Sequence, residues 1–358
     1  MPLYLDIARK LKSEIDAGKY RKRFPSETQL VKRYRVSRQT VIRVMAELAR
    51  AGLIERHQGS GTVVSRKVKL TLGRIGLVLP WASSEPFYDA IQKVCRAEGY
   101  TLIHRSINHP QGIPLDERLK EVKQLAAEFA DEMVAGVVLQ PMQNLAEAEA
   151  VNREIVGAFQ EKNIPIVLID HDICFPPERS GFDVVAVDNI RAGYLIGRHL
   201  IAQGAKNIVF LNHRNWAPTV MDRLYGVSSA ALEAGLRWSA RKNVLNCEPG
   251  EVKGIARAVK TLRPDAIVCG NDIEAAQLLK TLKTLRIGVP GRIMVTGIDD
   301  APFASLVTPS LTTVRQDLAQ IAAAAARRLF ERIRTPNAAP VSILLPTKLI
   351  VRESTGTN

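Results

Sequence analysis

Two groups of residues in this chain have the types and spacing for recognition chemistry. The first is the run Ser37-Arg38-Gln39-Thr40 with Arg43 one turn on, followed by His57-Gln58-Gly59-Ser60-Gly61. Arginine pairs in two-pronged fashion with guanine O6 and N7, and glutamine pairs likewise with adenine N6 and N7. Hydroxyls such as those of Ser37 and Thr40 suit phosphate or base oxygens. Lys32, Arg33 and Arg35 lie just upstream, placed to neutralise phosphates. The Gly59-Ser60-Gly61 tip lets backbone come close to a duplex, with His57 and Gln58 reaching a minor groove. As a phosphate-cradling loop the tip fails: it lacks a third glycine and lies between strands rather than before a helix.

The second group is spread along the chain at places where apolar runs end or helical patterns open: Asp170, Arg223, Asn271, Asp272 and Asp299, with Trp81, Phe87 and Tyr88. Carboxylates and amides accept from or bridge vicinal hydroxyls, and a guanidinium donates in a fork. An aromatic ring covers the apolar C–H face of a sugar. Together these suit a polyhydroxylated ligand. Taken singly, Asp170 or Asp272 reads equally well as a helix or turn cap, and Trp81 as core. Trp216 lies in a loop able to face the same space.

Catalytic and metal chemistry find little support. There is no GxSxG, P-loop, HExxH or complete GxGxxG motif, and no plausible Cys–His nucleophile. Cys95, Cys174, Cys247 and Cys269 lie far apart, without a CxxC pair or a histidine at ligand spacing, and read as reduced core thiols. The expectation is a protein that is not an enzyme and needs no metal or cofactor. The N-terminal residues carry charges every few positions and lack the apolar stretch of a secretory signal. No run approaches the length of a membrane span. These observations predict a cytoplasmic protein.

The elements that position the first group are legible in the periodicity. Tyr4, Ile7, Ala8, Leu11 and Ile15 form one helical stripe, with Gly18 able to end it. Ser26 and Gln29 have capping-box spacing, opening a short second helix with Leu30, Val31 and Tyr34 inward. A third helix begins at Ser37, with Val41, Val44, Met45 and Leu48 inward and Arg38, Gln39, Arg43 and Arg50 outward; Gly52 can end it. Two short strands, 53–56 and 62–64, then flank the glycine tip. The order is helix, helix, recognition helix and β-hairpin wing.

Charge agrees with this division. The chain has 358 residues and a formal charge of +14. Residues 1–67 hold 16 Lys+Arg against 6 Asp+Glu, a net of +10 in under a fifth of the chain. Such asymmetry fits a polyanion-binding module attached to a nearly neutral body.

Residues 4–64 resemble the gluconate-repressor (GntR) family of winged-helix regulators. The resemblance is carried by FPSETQL (24–30), VSRQTV (36–41) and LARAGLIERHQGSGTVV (48–64). It implies DNA contacts at Ser37 to Thr40 and at wing residues His57 to Gly61. Two departures stand out: the family often has Arg at the place of Thr28 and usually has Arg at that of Ile42. Arg43 is displaced by about 100° around the helix from the position of the missing guanidinium.

Beyond a polar linker at 67–72 the chain alternates strands and helices. Strand-like runs lie at 75–80, 135–141, 164–170, 207–212, 266–271 and 293–299, with helical patterns at 86–98, 116–131, 146–162, 189–203, 221–234 and 273–286. Continuous apolar strands joined by helices predict parallel sheets covered on both faces. About 280 residues predict two lobes, and ligands of such sheets bind beyond the carboxyl ends of the strands. The Ala-rich stretch 319–330 reads as a tightly packed helix, of the core in preference to a dimer interface.

This part resembles the lactose/galactose-repressor (LacI/GalR) sensor domain, itself similar to periplasmic sugar-binding proteins. The carrying motifs are 187–211, 223–236, 265–300, TPSLTTVRQDL (308–318) and LPTKLIVRESTG (345–356). The resemblance implies effector contacts at Asp170, Arg223, Asn271, Asp299 and Gln316, with Trp81, Phe87 and Tyr88 following the first strand. Glu85-Pro86-Phe87 stands where the family commonly has Asn-Pro-Phe, so familiar hexose specificities do not carry over.

The fold class expected is therefore α/β. An N-terminal winged helix-turn-helix (1–66) precedes a two-lobed type I periplasmic-binding-protein-like α/β/α sensor domain (73–358). One lobe is expected at about 73–171 and 299–335, the other at about 183–297 and 338–356. The arrangement is similar to that of bacterial arabinose repressors. It implies a transcriptional regulator, a repressor, with palindromic double-stranded operator DNA and a small carbohydrate effector as partners, acting as a homodimer away from membranes. A carbohydrate-responsive activator, a solute-binding protein and an α/β sugar enzyme are the alternatives. Residues 1–67 and the missing secretory signal argue against the solute-binding protein, and the lack of a catalytic motif argues against the enzyme.

Overall fold

The computed structural model describes residues 3–16, 19–20, 24–50, 53–57, 61–64, 73–80, 85–104, 115–143, 147–212 and 217–356. Gly18, Gly52, Gln58, Gly59, Ser60, the linker, Trp81 and Trp216 lie outside the described residues.

The head consists of α1 (Leu3–Asp16), α2 (Glu27–Tyr34), α3 (Arg38–Arg50), β1 (Ile54–His57) and β2 (Gly61–Val64). Its core is the apolar stripe of each helix: Ile7, Leu11 and Ile15 meet Leu30, Val41, Val44 and Leu48, closed by Leu53 and Ile54. Helix α2 starts on the capping box, with the Gln29 amide donating to Ser26 Oγ at 3.3 Å and the Ser26 amide to Gln29 Oε1 at 2.9 Å. It ends at Arg35 in the left-handed region, φ 51°. Strands β1 and β2 pair antiparallel with Ile54 opposite Val64 and His57 opposite Gly61, the hairpin of a wing.

The larger part holds two parallel sheets. The first has order β13-β7-β6-β5-β3-β4. Its strands are β3 (Gly73–Val78), β4 (Tyr100–His104), β5 (Gly136–Leu139), β6 (Ile166–Ile169), β7 (Asp183–Val187) and β13 (Ser342–Leu345). Helices α5 (Leu115–Asp131) and α6 (Ala148–Gln160) cover one face through Val122, Phe129, Ile155 and Phe159. Helices α4 (Glu85–Ala97) and α12 (Leu318–Arg334) cover the other. The alanines of α12 let it lie against α4 and the sheet, with Ala322, Ala325 and Ala326 fully buried.

The second sheet has order β11-β10-β8-β9, formed by β8 (Ile208–Asn212), β9 (Val244–Asn246), β10 (Ala266–Cys269) and β11 (Met294–Thr296). Helices α7 (Asn189–Ala202) and α8 (Pro218–Glu233) pack on one face, with α10 (Val252–Leu262) and α11 (Asp272–Thr284) on the other. A single turn, α9 (Ala240–Asn243), precedes β9. The short strands β12 (Thr313–Arg315) and β14 (Lys348–Ile350) pair antiparallel as a two-stranded sheet.

One expectation is corrected by this pairing. The sequence pattern puts residues 183–187 and 342–345 in the second lobe, yet β7 pairs with β6 and with β13, extending the first sheet. Every residue of β7 is buried, and a strand buried on both faces needs neighbours on both edges and helices on both sides. The chain therefore passes to the second sheet after Val187, and leaves the first sheet again after Leu345. Among the described residues no helix is long and apolar enough to cross a membrane.

Candidate functional site

In the head, α3 exposes Arg38, Gln39 and Arg43, as the periodicity predicts. Ser37 opens the helix: its Oγ accepts from the Thr40 amide at 3.2 Å and lies 2.9 Å from Thr40 Oγ1. Arg38 reaches outward, its side chain 79% exposed and paired with Glu27 at 3.3 Å. Lys32 and Arg35 are exposed, and Gly61 opens β2 with φ 90°. His57 closes β1 in the backbone ladder.

Arg33 departs from expectation. Its guanidinium is drawn to the Glu14 carboxylate and donates to Tyr20 Oη at 2.7 Å, with the Tyr34 ring 5.1 Å away. The Arg33 hydrogen bond holds the Glu14 carboxyl down at about 2, well below the usual carboxylate range. This group ties α1 to α2, so Arg33 acts as a brace rather than a freely available phosphate contact.

Four of the residues expected in the cleft come together where strand ends from both sheets meet. Asp299 follows β11; its Oδ1 accepts from Gln316 Nε2 at 2.6 Å. Its carboxyl also feels the charges of Arg223, Asp272 and Asp170, and burial pushes it up to about 7. The carboxyl is enclosed by surrounding atoms, while the residue keeps partial access to solvent. Asp170 follows β6, and Gln140, at the end of β5, reaches it at 3.5 Å.

Arg223 is buried at 5% exposure and is aimed by two acceptors. Its Nε donates to Asn189 Oδ1 at 2.8 Å and its Nη1 to the Gly270 carbonyl at 2.6 Å. Among the described residues Nη2 has no partner. The tight approach of α7 and α8 makes this possible: a Cβ on Gly193 would stand 1.9 Å from the Arg223 carbonyl oxygen, and one on Gly226 2.0 Å from that of Ile190. Only glycine allows the backbones to cross there.

Backbone strain gathers at the same place. Asp170, Asp299 and Asp300 have φ of 74°, 134° and 55°, a conformation that costs about 1–3 kcal/mol per residue and persists where the surroundings hold it. Asp300 shows how it is held: its two oxygens accept from Arg352 Nη2 and Arg315 Nε, each at 2.6 Å.

Two expected contacts, Asp272 and Phe87, are corrected, and Asn271 is only partly committed elsewhere. Asp272 is fully buried, with Oδ1 accepting from Thr313 Oγ1 at 2.6 Å and Oδ2 from the Ala301 amide at 2.8 Å. Both oxygens are committed to holding the loop after β11. Phe87 is 2% exposed in the core beneath α4 with Ile91 and Cys95, because its place on the helix points it at the sheet. Asn271 caps α11, its Oδ1 accepting from the Glu274 amide at 2.9 Å and its Nδ2 donating to Glu274 Oε1 at 2.8 Å. One amide hydrogen remains to it. Tyr88 is half-buried and lies against the His104 ring, 4.8 Å between centroids.

Sequence reasoning missed Gln140, Asn189 and Asp222. Burial raises the Asp222 carboxyl, opposed by Arg179 and Arg223. Asn189, following the Asp188 cap of α7, was visible as a motif residue, but nothing in sequence paired it with Arg223.

A concavity of about 500 Å³ lies in the first lobe and is lined by Glu147, Glu149, Ala150, Arg153 and Phe175. None of the expected residues lines it. Beside it Cys174 Sγ comes within ligand reach of Glu149 and Glu178. The Arg153 guanidinium already bonds both Glu149, at 2.7 Å, and Cys174 Sγ, at 3.2 Å. All four cysteines are free thiols.

Two family descriptions match this chain. Residues 3–64 match the bacterial regulatory proteins of the gntR family, and residues 198–355 match a periplasmic binding protein-like domain. The arabinose metabolism transcriptional repressor of Geobacillus stearothermophilus is 28% identical, over 99% of this chain and 98% of that one. A complex of the transcriptional regulator CelR with cellobiose has a TM-score of 0.61 at 22% identity, covering 89% of this chain and 91% of the other. A LacI family regulator from Enterococcus faecium with bound ribose has a TM-score of 0.60 at 20% identity, covering 79% of this chain and 98% of the other. The chain thus carries a head similar to the bacterial regulatory proteins of the gntR family, followed by a periplasmic binding protein-like domain with the fold of LacI-family regulators.

Proposed function

We propose that the protein is a transcriptional repressor that binds a palindromic operator as a homodimer in the cytoplasm and responds to a small carbohydrate in the cleft between its lobes. Ser37, Arg38, Gln39, Thr40 and Arg43 read and grip the major groove, Lys32 and Arg35 meet phosphates, and His57 to Gly61 follow the minor groove. Two heads engage half-sites about one helical turn, 34–36 Å, apart. The effector lies over Asp170, Arg223, Asp299 and Gln316, with Asn271 and Tyr88 at the margin. The repressor names of the relatives and the sugars named with the structural neighbours support this reading.

The observation that carries it is the convergence of Asp299, Gln316, Asp170 and Arg223 at strand ends of both sheets. A hydroxylated ligand bridging them draws on both lobes at once, and so changes their relative energy in the open and closed states. The test is a thermal-shift screen of full-length protein against pentoses, hexoses, uronates, polyols and sugar phosphates, followed by operator binding with and without each hit. A sugar that raises the melting temperature and changes operator affinity supports the function. Turnover of that sugar overturns it in favour of an enzyme. Equal operator affinity with and without every hit removes the regulatory role.

A further inference from the structure

On the outward face of α3 one large side chain has no polar group at all. Ile42 is 45% exposed, whereas Val41, Val44, Met45 and Leu48 of the same helix are each 5% exposed or less. At about 100° per residue, Ile42 falls between Arg38 and Gln39 in direction and one turn further along. Exposed Ala46 lies beside it. The middle of the face is therefore hydrocarbon, with Arg38 and Gln39 at its leading end and Arg43 on its flank.

A duplex offers few places where such a group is an advantage. Phosphates and most base edges present donors or acceptors, and an isoleucine set against them strips water without replacing its hydrogen bonds. The exception in the major groove is the thymine C5-methyl. A β-branched side chain on a helix has essentially one χ1 rotamer, so the methyl groups of Ile42 are held in place with little loss of freedom on contact. We propose that Ile42 is a specificity-determining residue of the reading head, selecting the C5-methyl of a thymine in each half-site. The proposal rests on the assignment of α3 to the major groove made above.

The experiment begins by enriching operators from a random duplex library on full-length wild-type protein. Each thymine is then replaced singly by deoxyuridine, which removes the methyl and leaves the hydrogen-bonding edge unchanged. Fluorescence anisotropy should find one thymine per half-site at which the replacement weakens wild-type binding about fourfold, the effect of roughly one buried methyl group. Ile42→Ala should bind the thymine operator about as weakly and be indifferent to the replacement, while Ile42→Val keeps the discrimination. Because Ile42 lies outside the core, Ile42→Ala should melt with the wild type. Deoxyuridine neutral at every position, or a penalty undiminished in Ile42→Ala, overturns the proposal and leaves DNA reading intact. Failure to enrich any sequence overturns DNA reading, and the proposal with it.

Discussion

Asp299 has its carboxyl raised to about 7, by burial first and by the neighbouring Asp272 and Asp170, against the pull of Arg223 and the Gln316 hydrogen bond. An unfolded aspartate titrates near 3.9, so between about pH 4 and 7 the folded protein holds more protons at this site than the unfolded chain. Its contribution to stability is present at the acid end of that window and is lost as pH rises through 7. Ligand binding has the opposite sign. Hydroxyls donating to Asp299 favour its ionised form, so effector affinity should climb as pH approaches 7. In Asp299→Asn both trends should flatten; aspartate and asparagine share tolerance of positive φ, so the backbone need not move. Melting curves and calorimetric titrations across pH 4–8, wild type against variant, measure the difference. Coinciding pH profiles would remove Asp299 from both roles. At the other end of the molecule, Arg38→Ala removes an exposed side chain with one weak contact. It should leave the melting temperature unchanged while lowering operator affinity about five- to a hundredfold, as a two-pronged base contact implies. Unaltered operator affinity would take Arg38 out of the reading face.

At the scale of elements, the crossing of α7 over α8 decides where Arg223 points. Gly193→Ala places a Cβ 1.9 Å from the Arg223 carbonyl oxygen, and backbone cannot yield as a side-chain tip does. The helices must separate, at a cost of about 1–3 kcal/mol, and the guanidinium must leave Asn189 and Gly270. The variant should melt lower and lose its effector-induced thermal shift. Gly157→Ala in α6 makes the same chemical change with nothing within 4 Å; it should stabilise by roughly 0.5–1 kcal/mol through helix propensity. Equal effects in the two variants would show that the crossing is not what positions Arg223. Both helices were legible in the sequence from their apolar spacing, and so were the three helices and wing of the head. Their mutual approach was not: periodicity says which face is buried, never which residue of a helix some thirty positions away it meets. The same limit explains Phe87 and Asp272. Each has the right chemistry at the right strand end, yet one turns into the core and the other is consumed by Thr313 and Ala301. Short elements were missed for a different reason. Strand β4 mixes polar and apolar residues at a sheet edge, β9 is three residues long, and β7 is hidden between the turn residues before it and the helix cap after it. Helix α10 is legible as well, with Val252, Ile255, Val259 and Leu262 at helical spacing.

For the whole molecule, the uneven charge and the cleft make separate, measurable contributions to one equilibrium. The basic head should give operator binding a steep salt dependence, with log affinity falling by about 0.9 per phosphate contact for each unit of log salt. Effector binding to the nearly neutral sensor should depend little on salt. The quantity joining them is the coupling free energy between operator and effector, and thermodynamics requires it to be reciprocal. If saturating effector lowers operator affinity by some factor, saturating operator must lower effector affinity by the same factor. Arg223→Ala should reduce that factor to one without changing operator affinity in the absence of effector, because Arg223 is proposed as an effector contact and lies in the sensor rather than in the head. Anisotropy with labelled operator and calorimetry with the effector identified by the thermal screen give the two sides independently. A variant that still releases operator at wild-type effector concentration would show that the signal does not begin at Arg223. A variant that loses operator affinity without effector would instead place Arg223 among the residues that set the resting conformation of the sensor.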